Sequence, residues 1–217
     1  VCSQGTNGQK FPVSLVSRQQ AEELFEVAKN IPGIAYGYVD DGCYARAHSI
    51  ARKLEERGIL VGKIFTTGEL AANRPGGGLI KQKDGTYTQD RYVRWDYHVA
   101  PFVMIDTGGV REVFVIDPSL FLEIVRVQDW MAAQLVTGDS YLNEIQISDR
   151  HAYVMGSPSS WRLSHSNDAR RFMNGILTNP RSARRESFNP ADIEHSERTN
   201  QNYLCVQNPS TCVKRTR

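Results

Sequence analysis

The sequence has no apolar run approaching the roughly 20 residues a bilayer-spanning helix needs. It has no excess of either charge: the formal balance is +2 over 217 residues, which gives no support to nucleic-acid binding. The opening Val1-Cys2-Ser3-Gln4-Gly5 has neither a basic start nor a hydrophobic stretch. No signal peptide is visible, so either one was removed or none existed. Internal repeats are also missing. The length fits one well-cored domain, with a core over about 15–178 and a polar extension over 179–217. Arg181, Arg184 and Arg185 in that extension read as a solvated tail.

Cysteine is scarce, with 4 in the chain, and each one has a separate reading. Cys205 and Cys212 enclose a short polar loop in which a disulfide is plausible, pointing to an oxidising compartment. Neither has a His or Cys close by, which disfavours zinc. Cys2 lies near a terminus and is expected to be free, or paired only at a cost in order. Cys43 is the residue whose surroundings look chemical.

What is present is a readable series of elements. Ser17 and Gln20 fit a capping box, and Ala21, Leu24, Phe25 and Ala28 follow at helical spacing up to Asn30. A second helix is predicted from Cys43, with Cys43, Ala47, Ile50 and Leu54 as its apolar stripe and Gly58 as its C-terminal cap. Asp40-Asp41-Gly42 supplies turn and capping material, with Asp41 as the cap. Strands are expected over 59–66, 95–105 and 110–116, and residues 68–90 read as a long polar loop. A helix over 127–136, short strands around Ile145 and Tyr153, and a helix over 168–176 complete the chain. Helix first and strands after suggest an α+β domain with a helix packed on an antiparallel sheet.

A cysteine attacks as the thiolate, and a position at a helix start lowers the thiol pKa through unpaired N–H groups and the helix dipole. Cys43 has that position, although a small buried residue on an apolar stripe would look the same. The predicted hairpin brings His98 and Asp117 together. With a turn at Thr107-Gly108 they face each other directly; with a turn centred on Gly108-Gly109, Ala100 faces Asp117 and His98 is the diagonal neighbour. A three-residue loop with a bulge would spoil this register. Pro101 removes a ladder donor and suggests an edge or bulged strand. An Asp beside a His fixes the tautomer and stabilises the imidazolium. By spacing alone, a surface cross-strand ion pair remains the alternative.

Three segments narrow the choice: Asp41-Gly42-Cys43-Tyr44-Ala45-Arg46-Ala47-His48, Tyr97-His98-Val99-Ala100, and Ile116-Asp117-Pro118-Ser119-Leu120-Phe121. In this order they resemble the bacterial protein-glutaminases, over roughly residues 20 to 125. The resemblance implies a single catalytic domain of transglutaminase- and papain-like α+β fold, with Cys43 as nucleophile, His98 as acid/base and Asp117 as its orienting partner. It implies hydrolysis of glutamine side-chain amides in protein substrates, through a thioester and without a cofactor or metal. It also implies secretion by a bacterium and an inhibitory pro-segment.

The backbone N–H of Cys43 is the natural first oxyanion donor, and Trp95 is a candidate for the second by location. Trp95, Tyr97, Tyr44 and Asp41 are candidates for lining the substrate cleft; core aromatics would read alike. Arg46 and His48 suggest structural pairing, and His151, His165 and His195 exposed or locally bonded side chains. A cysteine protease or transglutaminase on the same framework, or an effector directed at one host protein, is the alternative.

Overall fold

In the computed structural model, residues 1–34, 36, 42–81, 87–156 and 163–178 are described. Three short strands come first: β1 (Cys2–Gln4), β2 (Lys10–Pro12) and β3 (Leu15–Val16). The order is therefore not helix first, as expected. These strands are too short to show a periodicity; β1 and β2 pair antiparallel with each other, and β3 pairs with the distant 104–105 segment.

The first helix, α1 (Arg18–Lys29), begins with the expected capping box: Ser17 Oγ accepts from Gln20 N–H at 3.1 Å, and Gln20 Oε1 accepts from Ser17 N–H at 2.9 Å. The second helix, α2 (Cys43–Glu55), buries Cys43, Ala47, Ile50 and Leu54. It ends where Gly58 N–H donates to Glu55 O and Ile59 N–H donates to Leu54 O, the Schellman pattern.

The main sheet is built on β4 (Gly62–Lys81) and β5 (Tyr87–Asp106), which pair antiparallel along their length. The loop expected over 68–90 is thus largely strand. Its Gly76-Gly77-Gly78 run and polar residues hide a ladder held by backbone hydrogen bonds rather than by alternating apolar side chains. The pairing shifts register between Thr67 and Leu70, and again between Asn73 and Gly78.

The sheet continues through β6 (Arg111–Val115), β7 (Val125–Arg126) and β8 (Tyr141–Asp149), in the order β7-β6-β5-β4-β8. β3 runs parallel to β5 where β4 has ended, with Leu15 opposite Met104. Two helices complete the chain, α3 (Val127–Ala132) and α4 (Leu163–Thr178), the first shorter and the second longer than expected. Tyr153 follows β8 in irregular chain, not in a strand.

The α+β class, with the Cys43-bearing helix packed against β5 of an antiparallel sheet, is as expected. One apolar cluster joins Leu24 and Phe25 of α1, Ile50 and Leu54 of α2, Phe102 of β5 and Trp130 of α3. Burial of side chains this size contributes about 1.5–3 kcal/mol each, which fixes α2 against the strand that carries His98.

Between β5 and β6, Thr107 N–H donates to Val110 O, and Gly108 and Gly109 both have positive φ (82° and 92°). This is the geometry of a primed hairpin turn, which non-glycine residues enter only with strain. The register is the second of the two anticipated, with Asp106 opposite Arg111 and Phe102 opposite Val115.

Pro101 does not mark an edge or a bulge, because β5 runs between β4 and β6 and pairs in register there. Ile116 N–H still donates to Pro101 O at 2.8 Å, so only the return bond is missing. That loss falls where β6 has ended, and it leaves the chain free to turn at Asp117.

Candidate active site

Cys43 is the first residue of α2, and Gly42 before it has φ 91°. The N-cap is Gly42, with no side-chain hydrogen bond, and not Asp41. Asp41, the remaining cleft candidate before the helix, lies outside the described residues, as do Cys205, Cys212 and His195. The backbone N–H of Cys43 belongs to the first helical turn, where donors have no intrahelical acceptor.

His98 and Asp117 meet as diagonal neighbours. Nε2 of His98 lies 2.7 Å from Oδ2 of Asp117, and both side chains are almost wholly buried. Asp117 accepts three further bonds: from Trp130 Nε1–H at 2.9 Å on Oδ2, and from Ser119 N–H at 3.1 Å and Ser119 Oγ–H at 2.5 Å on Oδ1. The imidazole lies between two indoles, Trp95 at 5.2 Å and Trp130 at 5.6 Å between ring centres, both nearly parallel to it. The ring therefore has little freedom to rotate away.

Burial pushes the Asp117 carboxyl up, but His98, Ser119 and Trp130 outweigh it, so the group lies well below the usual carboxylate range. Burial pushes the His98 imidazolium down, but Asp117, and then Cys43, raise it to about 9. Burial likewise pushes the Cys43 thiol up. His98, the Arg46 charge and the Tyr97 side chain together hold it below its ordinary value. Nδ1 of His98 nevertheless has no partner at full hydrogen-bond geometry. The thiol–imidazole bond is thus long or poorly aligned at rest, as in sites whose bonds tighten only around substrate.

Above Cys43 lies a cleft of about 290 Å³, lined by Cys43, Arg46, Glu69, Arg94, Trp95, Asp96 and Tyr97. A larger groove of about 590 Å³ runs along α1 toward Lys53 and Arg57, away from these groups, and contains no nucleophile. Trp95 and Tyr97 line the cleft above Cys43. Tyr44 is not; it packs edge-on against Tyr153 at 5.3 Å and tilted against Phe172 at 5.6 Å.

His48 is buried, with Nε2 2.9 Å from Ser166 Oγ, and burial lowers its pKa to about 3. His165 stacks on Tyr153 at 4.6 Å. Both are structural. Among the described residues no group of His, Cys, Asp and Glu is arranged to hold a metal ion, and no helix is long and apolar enough to cross a membrane.

Sequence reasoning missed Arg46, Trp130 and Ser119. Arg46 stands three positions after Cys43 on α2, a spacing that puts two side chains on one helix face. Ser119, two residues after Asp117, has the spacing of an Asx turn. Trp130 is 13 residues from Asp117, and no local pattern points to it.

Trp130→Phe keeps a ring against His98 and deletes the donor to Asp117. It should lower stability at neutral pH by about 1–3 kcal/mol. Asp117 is depressed, so its contribution is present above the ordinary carboxylate pKa and lost as pH falls toward its folded value. The difference between the two proteins should therefore shrink below about pH 4, as denaturant melts at both pH values would reveal.

A family described as glutaminase matches residues 21–134, which include Cys43, His98, Asp117 and Trp130. Among solved structures, the chain resembles a protein-glutaminase crystal structure at 27% identity, with a TM-score of 0.59, covering 75% of this chain and 89% of that one. It resembles the NMR structure of protein-glutaminase from Chryseobacterium proteolyticum at 26% identity, with a TM-score of 0.61, covering 84% and 97%. A pro-protein-glutaminase crystal structure shares the fold at 23% identity and a TM-score of 0.59, covering 88% and 69%. No curated protein sequence matches.

Proposed function

The chain belongs to the glutaminase family, and we propose that it hydrolyses the side-chain amide of glutamine residues in proteins, with Cys43 as nucleophile, His98 as acid and base, and Asp117 as the carboxylate that orients His98. The observation that carries this reading is the convergence of three groups beneath one cleft, with Cys43 in its lining. A thiol held below its ordinary pKa heads α2, beside a buried imidazole that a four-bonded carboxylate keeps protonated.

The Cys43 thiolate attacks the δ-carbon of the glutamine amide, and the C–O π pair moves onto oxygen. The Cys43 backbone N–H faces the charge that develops there. Trp95, in the cleft wall and stacked on His98, is the candidate second donor. The His98 imidazolium gives its proton to the nitrogen as the C–N bond breaks, so ammonia leaves and a thioester remains. His98, now neutral, takes a proton from water as it attacks the thioester. Collapse releases glutamate and the thiolate, and His98 is protonated again.

A pro-segment that covers the cleft before processing, and release from a bacterial cell, belong to the same proposal. The likeness in fold to pro-protein-glutaminase supports the first of these.

The test is ammonia release from a glutamine-rich protein such as casein, with intact mass measured alongside. Wild type should release ammonia with a gain of about one mass unit per event, and Cys43→Ala should release none. Cleaved or cross-linked casein would instead assign the site to peptide-bond hydrolysis or to amine transfer.

A further inference from the structure

Amide hydrolysis at Cys43 has no need of the charges around the mouth of its cleft. Glu69 on β4 and Asp96 on β5 both line the cleft and are exposed. Neither carboxylate has a hydrogen-bond or ion-pair partner among the described residues. Arg94, also at the mouth, is held by Asp139, Nη1 to Oδ2 at 3.1 Å, so its charge is already opposed. Arg46 is the other cation in the lining, but it is 4% exposed and its field falls on the thiol below. The part of the lining open to a bound chain is therefore net acidic, in a protein whose overall balance is +2.

A substrate glutamine must pass through this mouth to reach Cys43, and its flanking residues stay outside beside Glu69 and Asp96. An extended chain advances about 3.3 Å per residue, so side chains roughly one to three residues from the glutamine lie within reach of the two carboxylates. We propose that the cleft selects glutamines in a basic sequence context, with lysine or arginine neighbours paired to Glu69 and Asp96, and disfavours glutamines flanked by acidic residues. The selection rests on the deamidase reading for its chemistry, and on the two carboxylates for its sign. Exposed pairs are individually weak, and two acting together, with repulsion in the opposite case, should give about tenfold discrimination at low salt.

The experiment uses three peptides with one central glutamine, identical except for lysine, serine or glutamate flanks. Affinity is measured by fluorescence anisotropy on Cys43→Ala, and turnover by ammonia release from wild type. The lysine-flanked peptide should bind Cys43→Ala about tenfold more tightly than the glutamate-flanked one. That ratio should fall toward one at about 0.5 M salt, and also when Glu69→Gln and Asp96→Asn are added. Equal affinities, or a preference that survives the two added substitutions, overturn the proposal. Should the added substitutions unfold the protein, as a melting curve would reveal, the salt series decides, and a preference indifferent to salt overturns it. A lysine preference without ammonia from any peptide sinks the deamidase reading and keeps the charge selection. Ammonia without any preference does the reverse.

Discussion

Replacement of Asp117 by asparagine should lower kcat for amide hydrolysis by about 10³–10⁴-fold, with a much smaller change in KM. Asp117 does not reach the cleft lining, so substrate binding does not depend on it directly. It supports His98, whose Nε2 it binds at 2.7 Å and whose pKa it holds up against full burial. Without the carboxylate charge, burial is left as the dominant influence, and the imidazolium loses its proton at lower pH. Since a protonated His98 in turn lowers the thiol pKa, Cys43 must rise as His98 falls. The reactive ion pair is then depleted from both sides.

The pH dependence follows with a definite sign. In the wild type the imidazolium persists to about pH 9, so kcat/KM should decline on the alkaline side near that value. The variant's alkaline limb should move to lower pH, and the active window should narrow. His98 is raised in the folded state, so the stability it contributes is present below the ordinary histidine pKa and lost as pH rises through about 9. Asp117 is depressed, so its stability is present above the ordinary carboxylate pKa and lost as pH falls. Asp117→Ala, which strands the donors from Ser119 and Trp130, should cost about 3–5 kcal/mol. Asparagine keeps one amide oxygen for them and should cost less. Rate profiles and denaturant melts across pH check both parts. An unchanged alkaline limb in Asp117→Asn would mean that another group protects the imidazolium.

How far the sequence could be read depended on whether the determining interactions were local. Ser17 and Gln20 are three residues apart, and their capping box stood as expected. Cys43 to Leu54 repeats at helical spacing, which fixed the start of α2 and its buried stripe. Asp106-Thr107-Gly108-Gly109 placed the hairpin turn, but local sequence could not choose between its two two-residue registers and a bulged three-residue loop. Both glycines accept positive φ, and that choice set His98 diagonal to Asp117. The length of β4 and β5 was illegible, because strands held by backbone pairing need not alternate polar and apolar residues. Trp130 was illegible for a different reason. Its hydrogen bond to Asp117 and its stack on His98 exist only because α3 folds back on the sheet. The residues proposed to carry the chemistry thus stand in short motifs, while the groups that hold them in place came from tertiary packing.

Gly42→Ala should both destabilise the protein and displace the proposed nucleophile, because two separate demands meet at that residue. Its φ of 91° is one that residues with a Cβ adopt only with strain, about 1–2 kcal/mol. A Cβ built there would also lie 2.4 Å from Cε1 of Phe172 on α4, so either the ring or the start of α2 must shift. Overpacking of this kind costs about 1–3 kcal/mol, for a total of about 2–5 kcal/mol and a melting temperature lower by roughly 4–20 °C. Cys43 is the next residue, and a misplacement of about 1 Å there can cost about a hundredfold in rate. The two demands can be separated. Phe172→Leu removes the ring edge but leaves φ unchanged, so in that background Gly42→Ala should cost only the strain part, about 1–2 kcal/mol. A double-mutant cycle with melting curves and kcat measures the coupling. Strictly additive losses would mean that α2 does not bear on Phe172, and that the position of the thiol is set by the backbone at Gly42 alone.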